Sequence, residues 1–137
     1  MTRKKLMTLL YLFAMAGLLA WFAYAKGWIL ANFPSVTPER AITLLAQNDD
    51  NISLLDVRSP KEFQSGHLTG ATLIPLGKLE ESLDKLAPLK GKTILVYCRS
   101  GMRSIAASRI LQKHGFHPVN IKGGIIGLSA AKVEIVK

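Results

Sequence analysis

The sequence predicts an α/β domain with a mainly parallel sheet covered by helices, preceded by one helix that spans a membrane. Short apolar segments alternate with amphipathic ones from residue 36 to residue 137. The short segments are apolar at nearly every position, which is typical of strands buried on both faces of a parallel sheet. An uncharged run of twenty residues, 6–25, stands apart from them near the N-terminus.

Residues 1–25 have the composition of a membrane anchor. A cationic flank, residues 1–5, precedes the uncharged run, which as a helix is about 30 Å long and matches the hydrocarbon core of a bilayer. Tyr24, Lys26 and Trp28 lie where interfacial side chains are expected. We therefore expect residues 6–25 to form a single-pass anchor in contact with membrane lipid.

A cleaved signal peptide is the alternative for the same segment. The sequence AYA at 23–25 fits a cleavage pattern, but the apolar run is longer than usual, and Trp21 and Phe22 are bulky. In both cases the excess of cations before the run directs the domain across the membrane, to the periplasmic side in a bacterial cell. We favour the uncleaved anchor, which places the protein at the cell membrane.

Helices and strands alternate downstream of the anchor. Residues 26–35 are expected to be a linker and residues 36–137 the domain. Thr37 is a candidate N-cap with Pro38 at the first helical position, and Gly115 is suited to end a helix. The predicted elements are a helix at 37–47, a strand at 52–57, a helical turn at 60–66, a strand at 71–76, a helix at 78–88, a strand at 92–97, a helix at 103–115, a strand at 118–122 and a last helical turn or two at 123–132.

The only cysteine, Cys98, directly follows the strand predicted at 92–97. Parallel sheets bind ligands at the carboxyl ends of their strands, so this position suits chemistry. The thiolate is the reactive form of cysteine, and neighbouring cations and a helix N-terminus stabilise it. The alternative is that Cys98 is a small apolar core residue. Its place at the end of a strand, before the polar sequence RSGMR, favours a catalytic nucleophile.

The loop after Cys98 supplies what a thiolate needs. Two arginines bring positive charge, and the backbone amides of residues 99–104 can curl around the sulfur as an anion-binding nest. Gly101 permits the left-handed backbone that such a curl requires. Two serines can add hydroxyl donors, whereas Met102 is expected to be a pocket wall or a surface residue. The predicted substrate-binding residues are Arg99, Ser100, Gly101, Met102, Arg103 and Ser104.

Other chemistries fit these residues less well. A cysteine phosphatase has five residues between its cysteine and arginine, whereas Arg103 follows Cys98 after four, so the shorter loop suits a sulfur atom better than a phosphate. A cysteine protease needs a base, and nothing in the sequence ties His67 to Cys98. One cysteine and three scattered histidines offer no pattern of metal ligands. The few scattered aromatics of the domain argue against nucleic acid, despite the net charge of +9.

Three stretches resemble the rhodanese family: LLDVRSPKEFQSGHLTGATLIPL at 54–76, VYCRSGMRS at 96–104 and GFHPVNIKGGI at 115–125. The resemblance covers most of the chain downstream of the anchor. It implies a central parallel sheet of about five strands and a sulfurtransferase that needs no cofactor. Cys98 would take the outer sulfur of thiosulfate or a similar small anionic donor, release sulfite, and hold the sulfur as a persulfide. A thiol or protein acceptor, or cyanide in an assay, would then remove it.

The resemblance also implies roles for other residues. Arg99 and Arg103 would attract and orient the anionic donor. Four residues are expected to be structural, and two of them, Arg58 and Glu62, are expected to pair across a turn. The expected structural residues are Asp56, Arg58, Glu62 and His67.

Two departures from the family pattern leave the packing of the C-terminus open. Leu128 stands where the family often has a tryptophan, and the ending AKVEIVK differs from the usual one. Two alternatives to a thiosulfate sulfurtransferase also remain. One is a membrane-tethered persulfide carrier or sensor with little activity on free thiosulfate, and the other is a small phosphatase.

Overall fold

The computed structural model describes all 137 residues, in two compact units, Met1–Ala31 and Asn32–Lys137. The first unit contains the helix α1, Arg3–Ala25, whose N-terminus is capped by the hydroxyl of Thr2. This helix has 23 residues, its mean hydropathy reaches 2.0, and none of it is buried. It is long and apolar enough to cross a membrane, and a signal sequence has the same properties.

The second unit is a parallel sheet with helices around it. Its elements in chain order are β1 Ser35–Val36, α2 Pro38–Ala46, β2 Ile52–Asp56, α3 Pro60–Gln64, β3 His67–Leu68, β4 Thr72–Leu73, two 3₁₀ helices at Leu76–Lys78 and Glu80–Leu89, β5 Thr93–Tyr97, α4 Met102–Lys113, β6 His117–Ile121, α5 Gly124–Ala130 and β7 Ile135–Val136. Five strands form one sheet in the order β1-β6-β5-β2-β4, and all neighbouring pairs are parallel. The predicted fold class is confirmed.

Both faces of this sheet are buried. Successive residues of a strand point to opposite faces, so neighbours on β2 and β5 enter different cores. Leu54 and Leu95 pack with α2 and α5 in one hydrophobic cluster. Leu55 and Ile94 pack with α4 and the longer 3₁₀ helix in the other. This two-sided burial explains why the strands are apolar at nearly every position.

The segment from 71 to 89 differs from the prediction. The strand expected at 71–76 is only Thr72–Leu73, and the helix expected at 78–88 is 3₁₀ rather than α. The amides of Leu79 and Ser82 donate to carbonyls three residues earlier. Both side chains are buried, and a spacing of three residues places them on the same side of a 3₁₀ helix. The tighter helix therefore still directs these side chains to the core.

Three two-residue strands, β1, β3 and β7, were not predicted. The second unit begins at Asn32, inside the segment 26–35 that was expected to be a linker, and Phe33 is 7 % exposed. β3 and β7 form a separate antiparallel pair, and Leu128 is fully buried. The C-terminal segment is therefore packed on the domain, although it departs from the family pattern. Strands this short have no periodicity to detect, because their partners define them.

Candidate active site

Cys98 lies at the carboxyl end of β5, the central strand of the sheet. The residue is 1 % exposed. The chain then turns through Arg99 and Ser100, which are both exposed, and α4 begins at Met102. The thiol therefore lies at the floor of a short loop, between a buried strand and the N-terminus of a helix of 12 residues.

One backbone amide of the loop donates a hydrogen bond to the sulfur. The nitrogen of Gly101 lies 3.1 Å from Sγ of Cys98. Gly101 is the N-cap of α4 and has a φ of 114°, which other residues rarely adopt. The N-terminal amides and the dipole of α4 favour a negative charge on the sulfur. The predicted curl of amides thus brings Gly101, rather than all of residues 99–104, to the thiol.

The hydroxyl of Ser104, in the first turn of α4, is the second polar group beside the sulfur. Its Oγ lies 3.6 Å from Sγ, and the residue is fully buried. The same Oγ lies 2.7 Å from Oδ1 of Asn120 on β6 and 3.1 Å from the carbonyl oxygen of Gly101. Of the two predicted serines, Ser104 reaches the sulfur and Ser100 faces solvent. No sequence pattern singles out Asn120, because only the pairing of β5 with β6 brings it here.

Arg103 is held by a carboxylate from a distant part of the chain. Its two terminal nitrogens donate to the carboxylate oxygens of Glu62 at 2.7 and 2.8 Å. Glu62 lies in α3 and also completes a capping box with Ser59. The hydrogen bonds from Arg103, assisted by the amide of Ser59, lower the pKa of Glu62 to about 2, although partial burial opposes them. The same pair raises the pKa of Arg103. The charge of Arg103 is therefore compensated, whereas Arg99 is exposed and makes no ion pair.

Arg58 pairs with Asp56, so the predicted pair of Arg58 with Glu62 is wrong. Nε and Nη2 of Arg58 donate to both oxygens of Asp56, and Nη2 also donates to the carbonyl oxygen of Gly66 at 2.7 Å. Burial acts to lower the pKa of Arg58, but the hydrogen bonds and charge of Asp56 outweigh it and raise that pKa. In extended chain, residues two apart project to the same side, so Asp56 is the nearer partner. Glu62 faces α4 instead.

The remaining predicted structural residue, His67, contacts its own segment. Its Nδ1 lies 2.8 Å from the carbonyl oxygen of Phe63, and the two rings stack with centroids 3.6 Å apart. The next residue, Leu68, donates its amide to the hydroxyl of Tyr97 at 3.2 Å. Burial raises the pKa of Tyr97, so this hydroxyl stays neutral. These contacts hold residues 63–68 against β5, which is consistent with a structural role for His67.

The N-terminus of α5 contacts the backbone of the loop, which the sequence did not reveal. The amide of Ile125 donates to the carbonyl of Cys98 at 2.8 Å, and the amide of Ile126 donates to that of Arg99 at 3.3 Å. A Cβ on Gly124 would lie 2.5 Å from backbone atoms of both Cys98 and Arg99. The glycine pair in KGGI was the available signal, but it suggested only the start of a helix. Close approach of α5 therefore requires glycine at this position.

The structure contains no group of three or more His, Cys, Asp and Glu side chains that could hold a metal ion. A cavity of about 650 Å³ is lined by the end of α2 and by the start of β2, including Ile52 and Ser53. Neither Cys98 nor any residue of the loop that follows it lines this cavity. The loop itself offers one thiol, an amide, a hydroxyl and two guanidinium groups, which suit nucleophilic chemistry on an anion.

The chain resembles known proteins in sequence and in fold. The rhodanese-like domain family matches residues 37–131. Thiosulfate sulfurtransferase PspE of Escherichia coli (strain K12) is 36% identical over 80 residues, which cover 58% of this chain and 77% of that protein. The protein YqhL of Bacillus subtilis (strain 168) is 39% identical over 72 residues, which cover 52% of this chain and 56% of that protein.

A solved structure of similar fold comes from Thermoplasma volcanium. This rhodanese-related protein superposes with a TM-score of 0.66 and 29% identity, over 76% of this chain and 98% of that chain. The family match spans the sheet from β2 to β6, the loop at Cys98, α4 and α5. The chain therefore belongs to the rhodanese-like domain family.

Proposed function

We propose that the protein is a sulfurtransferase that carries sulfane sulfur as a persulfide on Cys98. The observation that carries the proposal is the environment of the thiol, which has the amide of Gly101 at 3.1 Å and the N-terminus of α4 behind it. Such an environment stabilises an anionic sulfur. Membership of the family, and a relative named as a thiosulfate sulfurtransferase, support sulfur transfer as the general chemistry.

The proposed reaction has two halves. The thiolate of Cys98 attacks the outer sulfur of thiosulfate, a bond forms between Sγ and that sulfur, and the S–S bond of thiosulfate breaks with its electron pair leaving on sulfite. Cys98 then carries a persulfide with a negatively charged outer sulfur. An acceptor such as cyanide or a thiolate attacks this outer sulfur. The electron pair of the persulfide bond returns to Sγ and restores the thiolate.

The loop residues have separate roles in this scheme. Arg99, which is exposed and unpaired, attracts the dianionic donor, and Arg103 orients it from its position on Glu62. The amide of Gly101 and the hydroxyl of Ser104 face the sulfur. Because Cys98 is 1 % exposed, a donor has to present a small terminal atom to reach Sγ. A terminal sulfur meets this requirement better than a phosphate ester.

The test uses the full-length protein in detergent with thiosulfate and cyanide, and measures thiocyanate. We expect turnover and, without cyanide, a mass increase of one sulfur atom. Cys98→Ser should show neither. Ser108→Ala is the matched control, because Ser108 is a buried serine of α4 whose hydroxyl donates to the backbone carbonyl of Ser104 and not to the sulfur. The proposal fails if neither turnover nor a persulfide depends on Cys98.

A persulfide carrier is the second candidate function, and the pairing of Arg103 favours it. Glu62 compensates this arginine, so Arg99 is the uncompensated loop cation that remains for a dianionic donor. Binding of free thiosulfate would then be weak, and a partner protein would deliver the sulfur. A persulfide on Cys98 that forms from a protein donor, with negligible turnover of thiosulfate, distinguishes this function. Hydrolysis of an aryl phosphate that is lost in Cys98→Ser would instead indicate a phosphatase.

We also propose that residues 6–25 anchor the protein in the cell membrane as a single pass, with the domain on the periplasmic or outer side. The length and apolar character of α1 support the anchor, and the cations of residues 1–5 support the orientation. A small thiol reagent that cannot cross membranes should label Cys98 in intact cells and leave Cys98→Ser unlabelled. Labelling that requires lysis would place the domain in the cytoplasm, and loss of residues 1–25 from the mature protein would indicate a signal peptide.

A further inference from the structure

A chain of polar groups leads from the sulfur through two buried side chains, Ser104 and Asn120, to the exposed Ser35 on the edge strand of the sheet. The hydroxyl of Ser104 lies 3.6 Å from Sγ of Cys98 and 2.7 Å from Oδ1 of Asn120. Nδ2 of Asn120 donates to Oγ of Ser35 on β1 at 3.3 Å. Asn120 is 2 % exposed, and nothing in the proposed reaction uses it. Such a residue, in the strand paired with that of the nucleophile, calls for an explanation.

The hydroxyl of Ser104 has one proton and more than one acceptor for it. The closest acceptor is Oδ1 of Asn120, at 2.7 Å, and the carbonyl of Gly101 lies at 3.1 Å. With its proton on Asn120, the oxygen of Ser104 presents lone pairs to the sulfur. It can then accept the S–H proton of Cys98. This arrangement therefore suits the protonated thiol.

A thiolate requires the reverse arrangement, because an anionic sulfur only accepts hydrogen bonds. The proton of Ser104 then has to point to Sγ, which would leave the oxygens of Ser104 and Asn120 facing each other at 2.7 Å. A half-turn of the Asn120 amide removes this repulsion. Nδ2 then donates to Ser104, and Oδ1 accepts from the hydroxyl of Ser35. Apart from the thiol proton, which passes to solvent, every proton stays on its own group.

We propose that Asn120 is a positioning residue that acts through Ser104, with one amide orientation for the thiol of Cys98 and the other for the thiolate. The inference rests on the proposed function only in taking Cys98 as the nucleophile. Polarisation of the Ser104 hydroxyl by Nδ2 strengthens its bond to the anion. The protein can thereby satisfy the buried hydrogen-bonding groups around the sulfur in both states.

The test measures the rate at which iodoacetamide alkylates Cys98 in the full-length protein as a function of pH. Asn120→Leu leaves Ser104 with the carbonyl of Gly101 as acceptor in the thiol state, but without a donor in the thiolate state. We expect the midpoint of the pH profile to rise by about half a unit or more. In a Ser104→Ala background the same substitution should leave the midpoint unchanged. Ser108→Ala is the matched control and should keep the wild-type midpoint.

The charged groups near the loop are the same in Asn120→Leu, Ser104→Ala and Ser108→Ala as in the wild type. They are Arg99 and Arg103, Glu62 on α3, and Asp56 at the end of β2.

If Asn120→Leu fails to fold, judged by circular dichroism, Asn120→Asp keeps the shape and offers only acceptors. Its upward shift of the midpoint should be smaller in the Ser104→Ala background, where the effect of charge alone remains.

Two results would overturn the inference: an Asn120→Leu profile identical to wild type, or a shift of equal size with and without Ser104. Failure of sulfur transfer is a separate result, since alkylation requires neither donor nor acceptor. A pH-dependent thiol that forms no persulfide would refute the proposed function and leave the role of Asn120 standing.

Discussion

Two carboxylate–guanidinium pairs lie near the loop, and they differ mainly in burial. The side chains of Arg58 and Asp56 are 5 % and 0 % exposed, whereas those of Arg103 and Glu62 are 37 % and 29 % exposed. The first pair joins residues two positions apart and also holds the carbonyl of Gly66. The second joins α3 to α4 across 41 positions.

We expect the pair of Arg58 with Asp56 to maintain the fold and the pair of Arg103 with Glu62 to affect the loop beside Cys98. Removing one partner of a buried pair leaves a charge without water or counter-charge, which is strongly destabilising. A pair in contact with water contributes little to the free energy of unfolding, because solvent replaces the lost partner. We therefore expect the pair of Arg103 with Glu62 to act mainly on the charge and orientation of the loop.

The largest expected effect is the loss of the buried pair. Arg58→Met keeps the volume but leaves Asp56 buried without a counter-charge, so the free energy of unfolding should fall by about 3–5 kcal/mol. Urea denaturation measures this change in the free energy of unfolding. Lys78→Met is the control, because Lys78 and Glu81 are 69% and 65% exposed and their pair should contribute under about 0.5 kcal/mol. Equal effects of the two substitutions would contradict the comparison.

The contact of Gly124 with the loop is buried but involves no charge. Gly124→Ala places a Cβ 2.5 Å from the backbone of Cys98 and Arg99. Because backbone cannot move aside cheaply, we expect α5 to shift, the free energy of unfolding to fall by about 2 kcal/mol, and thiocyanate formation to fall at least about tenfold. Gly91→Ala is the control, since Gly91 also has a positive φ but nothing lies within 4 Å of its Cβ position. Equal losses of activity would mean that backbone strain, not the contact with the loop, is responsible.

Loss of the partly exposed pair of Arg103 with Glu62 should have a smaller effect on stability, and this effect should depend on pH. The pKa of Glu62 falls from an ordinary value of 4.5 to about 2, so its contribution is fully present above pH 4.5 and is lost as the pH falls towards 2. With allowance for solvent screening, Glu62→Gln should be less stable than wild type by about 1 kcal/mol at pH 7. Thermal unfolding across this range measures the difference. A difference that persists unchanged at pH 2 would assign it to another cause.

The smallest effect on stability is expected at Arg99. This side chain is exposed and makes no ion pair, so Arg99→Gln should change the free energy of unfolding by less than about 0.5 kcal/mol. The KM for thiosulfate should still rise several-fold, and salt should reduce the difference, because attraction of an anion is screened. Lys113→Gln, which removes an exposed cation at the far end of α4, is the control. An unchanged KM would favour the persulfide carrier.

The sequence predicted features that depend on near neighbours in the chain. The N-cap of α2 at Thr37 and the position of Cys98 at the end of β5 were both evident, because each depends on a few adjacent residues. The alternation of apolar strands with helices similarly predicted the parallel sheet. The 3₁₀ form of the helix at Glu80–Leu89 was missed, since an apolar spacing of three to four residues is typical of an α-helix as well.

The longer strands, the α-helices, the apolar helix at the N-terminus and the one thiol could all be identified from local sequence. Three contacts around that thiol are evident only in the folded protein: Glu62 with Arg103, Asn120 with Ser104, and Gly124 with Arg99. Glu62, Asn120 and Gly124 each belong to a different strand or helix, far from the loop in sequence. Their contacts depend on the order of the strands and on close packing, which have no signature in a single local stretch of sequence.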